Sequence, residues 1–171
     1  VYNPLWNFEQ NNINGGNSLS FNNNFNVEYT PIQKVRLTGR LGYTVTKDMN
    51  ETFLSPFNTQ FEGVDVLKRG SYSRSDANST ALDANVNASY GDMIGLHTYN
   101  FVAGAQATQN DIRTDSYSSL GYITDKFFNP NFSNGYPEGG KPSSVVSRTR
   151  SAGFFLNANY AYDMRYLLDL N

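Results

Sequence analysis

The stretch that decides the fold covers residues 18–30 and reads SLSFNNNFNVEYT. Five of its six odd positions are apolar or aromatic, and every even position is polar. Side chains on a β-strand alternate between two faces, so this period of two predicts a strand with one apolar and one polar face. The run is longer than the five or six residues of a usual globular strand. The apolar set is Leu19, Phe21, Phe25, Val27 and Tyr29.

The same alternation returns in four further segments, and residues 166–171 begin a sixth strand. The short connections at 31–33, 91–95 and 163–165 alternate with long loops at 47–78 and 109–147. Lopsided connections of this kind are typical of transmembrane β-barrels, which have tight turns at one rim and long loops at the other. Half of the tyrosines also lie near the short turns, as an interfacial aromatic girdle would. The further alternating segments are 35–45, 80–90, 99–107 and 152–162.

Composition narrows the function classes. The chain has 171 residues, no Cys and one His, and its net charge of −2 excludes a broad basic surface for nucleic acid. Only 16% of the residues are charged, whereas 15% are aromatic, which argues against disorder. The sequence contains no apolar run long enough for a transmembrane helix and no leader at its start. Barrel strands remain the one way for such a chain to cross a membrane.

Charge separates the two predicted faces. The apolar face contains no charged residue, whereas Glu28, Arg36, Arg40 and Asp83 all fall on the polar face. The sequence therefore predicts an all-β, antiparallel transmembrane barrel segment of five full strands and the start of a sixth. A soluble or cell-surface β-sandwich that binds carbohydrate remains the alternative, because such a sheet also alternates. We expect Phe21, Leu41, Val86, Phe101 and Leu156 to face lipid. Candidate lumen-facing residues are Arg36, Arg40, Asn85, Asn87, Asn157 and Asn159, with Glu28 and Asp83 on the same side.

Chemistry-bearing motifs are scarce. His97 stands alone, Asp111 and Asp115 lack the spacing of a calcium loop, and no nucleophile–base arrangement is legible. We therefore expect no catalytic residues, no metal site and no cofactor. The aromatics of the second long loop are the more informative set, and they are expected either to contact a partner or solute or to pack the loop as an ordered lid. The candidate contact residues are Tyr117, Tyr122, Phe132 and Tyr136.

Four segments carry a family resemblance. They are 3–6 (NPLW), 35–42 (VRLTGRLG), 97–104 (HTYNFVAG) and, most specifically, 154–169 (FFLNANYAYDMRYLLD). Their order along the chain resembles that of the SusC/RagA-type TonB-dependent transporters of the Bacteroidetes outer membrane.

The resemblance implies a barrel that imports a glycan fragment or peptide and is not an enzyme. It implies energy supplied by the TonB complex and a SusD-like surface lipoprotein over the extracellular face. Such transporters close about 22 strands around a plug. The resemblance therefore implies that residues 1–171 are an internal part of the barrel, without the plug domain. The long loops would be extracellular and the short turns periplasmic.

Overall fold

The computed structural model describes residues 4–171, so Asn3 of the NPLW segment lies outside the described residues. These described residues form a short helix, α1, followed by seven strands. The bounds are α1 Pro4–Phe8, β1 Ile13–Ile32, β2 Val35–Leu54, β3 Ser71–Ile94, β4 His97–Tyr122, β5 Ser133–Gly135, β6 Ser143–Tyr162 and β7 Tyr166–Leu170.

The strands form one antiparallel sheet in the order β1-β2-β3-β4-β6-β7, with the three-residue β5 paired to β4. The fold class predicted from the alternation is therefore confirmed as a barrel segment. The order of the six longer strands in the sheet also follows their order along the chain. Tight turns and long connections alternate between them. Strands β1, β2, β3, β4 and β6 are each 20 to 26 residues long, well beyond the usual globular range.

The short connections are tight turns at residues 33–34, 95–96 and 163–165. At the third turn Asp163 and Met164 both adopt positive φ, of 47° and 53°, which matches the twist of the flanking strands. The first turn differs from the prediction because Pro31 lies inside β1. Pro31 is the next-to-last residue of β1, so its missing N–H lies where the pairing with β2 ends at the turn.

The long connections are shorter than predicted. Residues 55–70 and 123–142 lie between the major strands, so the loop bounds 47–78 and 109–147 were wrong. The physical reason is that strand pairing uses the backbone and continues where the side chains no longer alternate between apolar and polar. Apolar alternation marks only the part of each strand that has one apolar face. The short strand β5 was not predicted at all.

The residues divide into two compact units, described separately below. The strand unit comprises Phe21–Val45, Ser79–Asp111 and Arg148–Asn171. The connection unit comprises the described part of residues 1–20 together with Thr46–Asn78 and Ile112–Ser147. It contains the small buried core, formed by Phe53, Tyr72 and Tyr122. Among residues 4–171, no helix is long and apolar enough to cross a bilayer.

Candidate functional site

One face of the strand unit is apolar and open. Phe21, Leu41, Val86, Phe101 and Leu156 all have exposed side chains, and Phe154 is 89% exposed. A soluble domain would cover such a face, because large contiguous apolar patches on monomers mark contacts with another apolar phase or a partner. Part of the face forms a shallow groove with small residues at its floor. The groove is lined by Val27, Tyr29, Leu37, Gly39, Val86, Ala88, Ala103, Ala105 and Phe154.

Aromatic and charged side chains meet at the short-turn end of the strand unit. The His97 and Tyr160 side chains share a hydrogen bond of 2.7 Å between Nδ1 and the phenol oxygen. The Tyr99 ring lies 5.3 Å from that of Tyr160. Nearby, Lys34 in the first turn pairs with Asp92 at 2.8 Å, and this hydrogen bond raises the pKa of the Lys34 ammonium. His97 thus has a structural partner in this aromatic group.

The opposite face of the strand unit is a network of amides and ion pairs. Arg36 pairs with Glu28 at 3.1 Å. The Asn87 amide donates to Asn85 Oδ1 at 2.7 Å and to Thr38 at 3.4 Å. The grouping of these side chains on one face agrees with the predicted register.

The remaining lumen candidates join the same kind of network. Asn159 accepts from Asn100 at 3.3 Å and donates to Asp169 at 2.7 Å. Asn157 donates to Asn171. Arg40 lines a hollow with Glu28, Asn85 and Asn87. Charged groups and amides of this kind can exchange hydrogen bonds with water or with the polar groups of a ligand.

Phe155 is an apolar residue on the polar face, and its ring lies directly over Gly104. A Cβ at Gly104 would overlap both the Phe155 ring and the amide oxygen of Asn87. That amide oxygen is buried and has no hydrogen-bond partner. Gly104 is therefore required by the close approach of the Phe155 and Asn87 side chains. This explains why a glycine on β4 is opposite a large aromatic residue on β6.

The connection unit is centred on aromatic side chains. Phe53 is fully buried, and its ring meets that of Tyr122 edge-on at 5.1 Å. The Tyr122 hydroxyl shares a hydrogen bond of 2.7 Å with Ser119, and both residues are almost completely buried. Tyr72 packs against Tyr117 at 5.9 Å and donates to Glu51 at 3.1 Å.

These contacts show where two of the predicted contact residues lie. Tyr117 and Tyr122 lie in β4 and not in a loop, and Tyr122 is 1% exposed. The reason is that β4 continues to residue 122, where β5 pairs beside it through Leu120↔Gly135 and Tyr122↔Ser133. Tyr122 therefore offers no surface to a partner. An ordered packing role, one of the two expectations for this set, applies to Tyr122, whereas the partly buried Tyr117 stays a candidate contact residue.

Within the connection unit, the first long connection accepts hydrogen bonds from the end of β4 and from the second connection. The Gly121 N–H donates to the Gly70 carbonyl at 3.2 Å, and the Asn134 amide donates to the Leu67 carbonyl at 3.2 Å. Gly121 has φ +80°, and a Cβ on it would overlap the Leu67 carbonyl and Asn134. The second connection is therefore tied to the first at its base.

The N-terminal segment is attached to the first connection in the same unit. The Trp6 indole donates to the Phe57 carbonyl at 2.9 Å. Asn7 and Thr59 exchange two hydrogen bonds, of 2.8 and 3.0 Å. These contacts of the NPLW segment were not predicted; the one sequence signal for them is the lone Trp6 beside the polar Asn7.

The remaining loop aromatics are exposed. Phe132 is 55% exposed and stacks on Phe127 at 5.1 Å, while Tyr136 is also exposed. Phe128 instead reaches back to Phe53 at 5.9 Å. The stacked rings of Phe127 and Phe132 and the ring of Tyr136 are thus exposed on the surface of the second connection. The Phe128 ring instead attaches this connection to Phe53.

Asp111 and Asp115, the two acidic residues considered for a calcium site, both form ion pairs. Asp111 pairs with Arg148, and Asp115 pairs with Arg113 at 2.9 Å. Within residues 4–171, no group of three or more His, Asp or Glu side chains could hold a metal ion.

The comparisons with known proteins support a likeness of fold. No known protein-family profile matches the sequence, and no curated protein matches it. Solved structures do match. A chain of the RagAB peptide importer in its closed-closed state is 20% identical, with a TM-score of 0.80 over 95% of this chain and 18% of that one. Its open-open state and another RagAB peptide transporter structure are each 19% identical, with the same TM-score.

These neighbours define the class of fold as a β-barrel segment of the kind found in transporters. The chain spans less than a fifth of the length of the RagAB chains that it matches. At this identity the likeness is one of fold.

Proposed function

We infer that this chain is part of the wall of an outer-membrane barrel that imports a peptide or a glycan fragment. The observation that carries the proposal is the two-faced sheet. One face of the strand unit is apolar and exposed, and the other holds amides and ion pairs. A charge at the bilayer midplane costs about 2–4 kcal/mol for Lys or Arg, whereas a wet lumen tolerates it.

The proposal includes a larger barrel. β1 and β7 are the edges of the described sheet, and open sheet edges do not persist in hydrocarbon because their backbone groups lack partners. Neighbouring strands must therefore flank both edges. The β-sandwich alternative finds less support, because the seven described strands form a single sheet and no second sheet covers the apolar face.

Membership of the SusC/RagA type is part of the same proposal. It is supported by the four sequence segments and by the fold of the RagAB peptide importer. On this reading the TonB complex supplies energy, the full protein is not an enzyme, and a SusD-like lipoprotein covers the long connections. Arg36, Arg40 and the amides of the polar face would line the lumen around plug and solute.

The exposed part of the second connection is the proposed contact for the lipoprotein or the incoming solute. Phe132 and Tyr136 remain candidates because their rings are exposed, and Phe127 joins them through its stack. Aromatic rings of this kind are the commonest anchors of interfaces, and they also stack on sugars. The base of the connection is held by Gly121 and Asn134 and so presents the rings on an ordered support.

Cysteine accessibility in the full-length protein tests the two-faced sheet. We expect Phe101→Cys to resist a water-soluble, membrane-impermeant maleimide in intact outer membranes, and Asn157→Cys to react. Both should react once the membrane is dissolved and the protein unfolded, which controls for expression. Reaction of the Phe101 site with a silent Asn157 site would reverse the faces and overturn the proposal.

A further inference from the structure

The apolar face changes character at one end of β4 and β6. On β6 the residues that share the face with Phe154 continue through Ala152 to Arg150 and Arg148. On β4 the corresponding series continues through Ala107 to Gln109 and Asp111. This is the end of the strand unit from which the chain enters the long second connection. Charged side chains therefore follow directly on the apolar surface, on the same face of the sheet.

Hydrogen bonds between β4 and β6 fix which of these residues are opposite each other. Thr108 and Ser151 share a hydroxyl–hydroxyl bond of 2.7 Å, and Asn100 bonds Asn159 at 3.3 Å. In antiparallel pairing the two residue numbers of opposed residues have a constant sum. The same register therefore places Gln109 opposite Arg150.

The same register places Asp111 opposite Arg148, which agrees with the ion pair between these two side chains. The Asp111 carboxylate accepts a further hydrogen bond from Gln109 at 2.6 Å.

The two arginines differ in how far their charge is compensated. Arg148 is paired with Asp111, yet more than half of its side chain is exposed. Arg150 is exposed and is opposed by the neutral Gln109; its charge also acts on Asp111, but it forms no salt bridge among the described residues. The group of Arg148, Arg150 and Asp111 therefore carries a formal charge of +1 at the border of the apolar face.

We propose that Arg148 and Arg150 bind the phosphate of a membrane lipid whose acyl chains lie along the apolar face beside Phe154. The proposal rests on the proposed function, because it requires this face to be in lipid. Guanidinium groups match phosphate with two parallel hydrogen bonds, and exposed arginines at a membrane surface attract anionic headgroups.

The surroundings favour a lipid over an acidic peptide. Phe154 lies four residues from Arg150 and forms one wall of the groove that runs over Gly39, Ala88, Ala103 and Ala105. The backbone of these strands is already paired within the sheet. A peptide in the groove would leave its own N–H and C=O groups unsatisfied, whereas an acyl chain has none to satisfy.

The test uses delipidated full-length protein in detergent micelles. The probe is lipid A that carries both phosphates, and the control ligand is the same lipid with its phosphates removed. Apparent Kd is measured for each by native mass spectrometry. We expect the phosphorylated lipid to bind more tightly to the wild type. Arg150→Gln should weaken that binding about fivefold, the effect of one surface arginine on an anionic lipid.

Asp111→Asn gives the sharper outcome. The change releases Arg148 from its ion pair, so binding of the phosphorylated lipid should become tighter, whereas loss of a merely structural ion pair would weaken it. Arg150→Lys should fall between wild type and Arg150→Gln, because it keeps the charge and loses the two-pronged geometry. Arg165→Gln, at the opposite end of the strands, should leave binding unchanged.

Two results overturn the site. One is equal binding of the phosphorylated lipid by wild type and Arg150→Gln, and the other is weaker binding after Asp111→Asn. If either occurs while Phe101→Cys remains protected in membranes, only the lipid site is wrong and the proposed barrel wall stands. If the Phe101 site is labelled from water, the lipid-facing assignment and the lipid site fail together.

Discussion

The hydroxyl of Tyr122 is expected to stabilise the connection unit through its buried partner Ser119. Tyr122→Phe removes one oxygen and keeps the ring that packs on Phe53. Ser119 is 2% exposed, so its hydroxyl would lose its partner in a place that water does not reach. Leaving a buried polar group unsatisfied costs about 1–3 kcal/mol. We expect Tyr122→Phe to destabilise the unit by an amount in this range.

A second substitution separates this cause from a general packing defect. In Tyr122→Phe/Ser119→Ala both polar partners are removed, and such paired removals are nearly neutral. The double variant should therefore recover most of the stability that Tyr122→Phe loses. Tyr136→Phe is the matched control, because Tyr136 is exposed and its change should stay within about 0.5 kcal/mol of wild type.

Hydrogen exchange of the backbone amides in the full-length protein is the suitable measurement, because it reports local opening free energies. Amides of β5 and of the end of β4 should exchange faster in Tyr122→Phe and recover in the double variant. The reasoning is refuted if Tyr122→Phe exchanges like wild type, or if Ser119→Ala makes the single variant worse. Either result would mean that the Tyr122 hydroxyl does not stabilise this core.

Two further predictions concern the second connection. Gly121→Ala should release residues 123–142 from the first connection and lower the stability of the unit by more than about 2 kcal/mol. A positive φ costs about 1–2 kcal/mol for a non-glycine residue, and the added Cβ would also overlap the Leu67 carbonyl. Limited proteolysis of the full-length Gly121→Ala variant should show new cleavage in that range. The control Gly15→Ala, at a site with open space, should be cleaved like wild type. Equal resistance of both variants would contradict the anchoring. Phe132→Ala should lower solute uptake or lipoprotein co-purification about tenfold, the effect of losing about 1–2 kcal/mol from an aromatic anchor, with barrel assembly intact. Unchanged uptake and co-purification would leave the ring as local packing of the loop.

Much of the strand layout could be predicted from the sequence because the period of two is a local property of extended backbone. The runs at 18–30 and 35–45 each lie inside a strand of the structure, and the connections alternate between short and long. The grouping of Arg36, Asn87 and Asn159 on the polar face could be predicted for the same reason. Once a strand's register is set, each side chain has only two faces to choose from.

The ends of the strands could not be predicted in this way. Beyond the apolar runs both faces of β2 and β4 carry mostly polar residues with only isolated apolar ones, so nothing in the alternation shows that pairing continues to Leu54 and Tyr122. The three-residue strand β5 gives no periodic signal either. Its pairing with β4 is a long-range event that depends on the path of the second connection.

By itself the sequence determined long strands that each have an apolar, charge-free stretch on one face, because composition and period act residue by residue. Only the tertiary structure decided the fate of particular side chains. It placed Tyr122 in a core and left Phe132 on the surface, although both belong to the same aromatic-rich segment. It also brought Arg148 opposite Asp111 and left Arg150 opposite a neutral amide. These differences arise from register and from contacts between residues far apart in the chain, which no local pattern encodes.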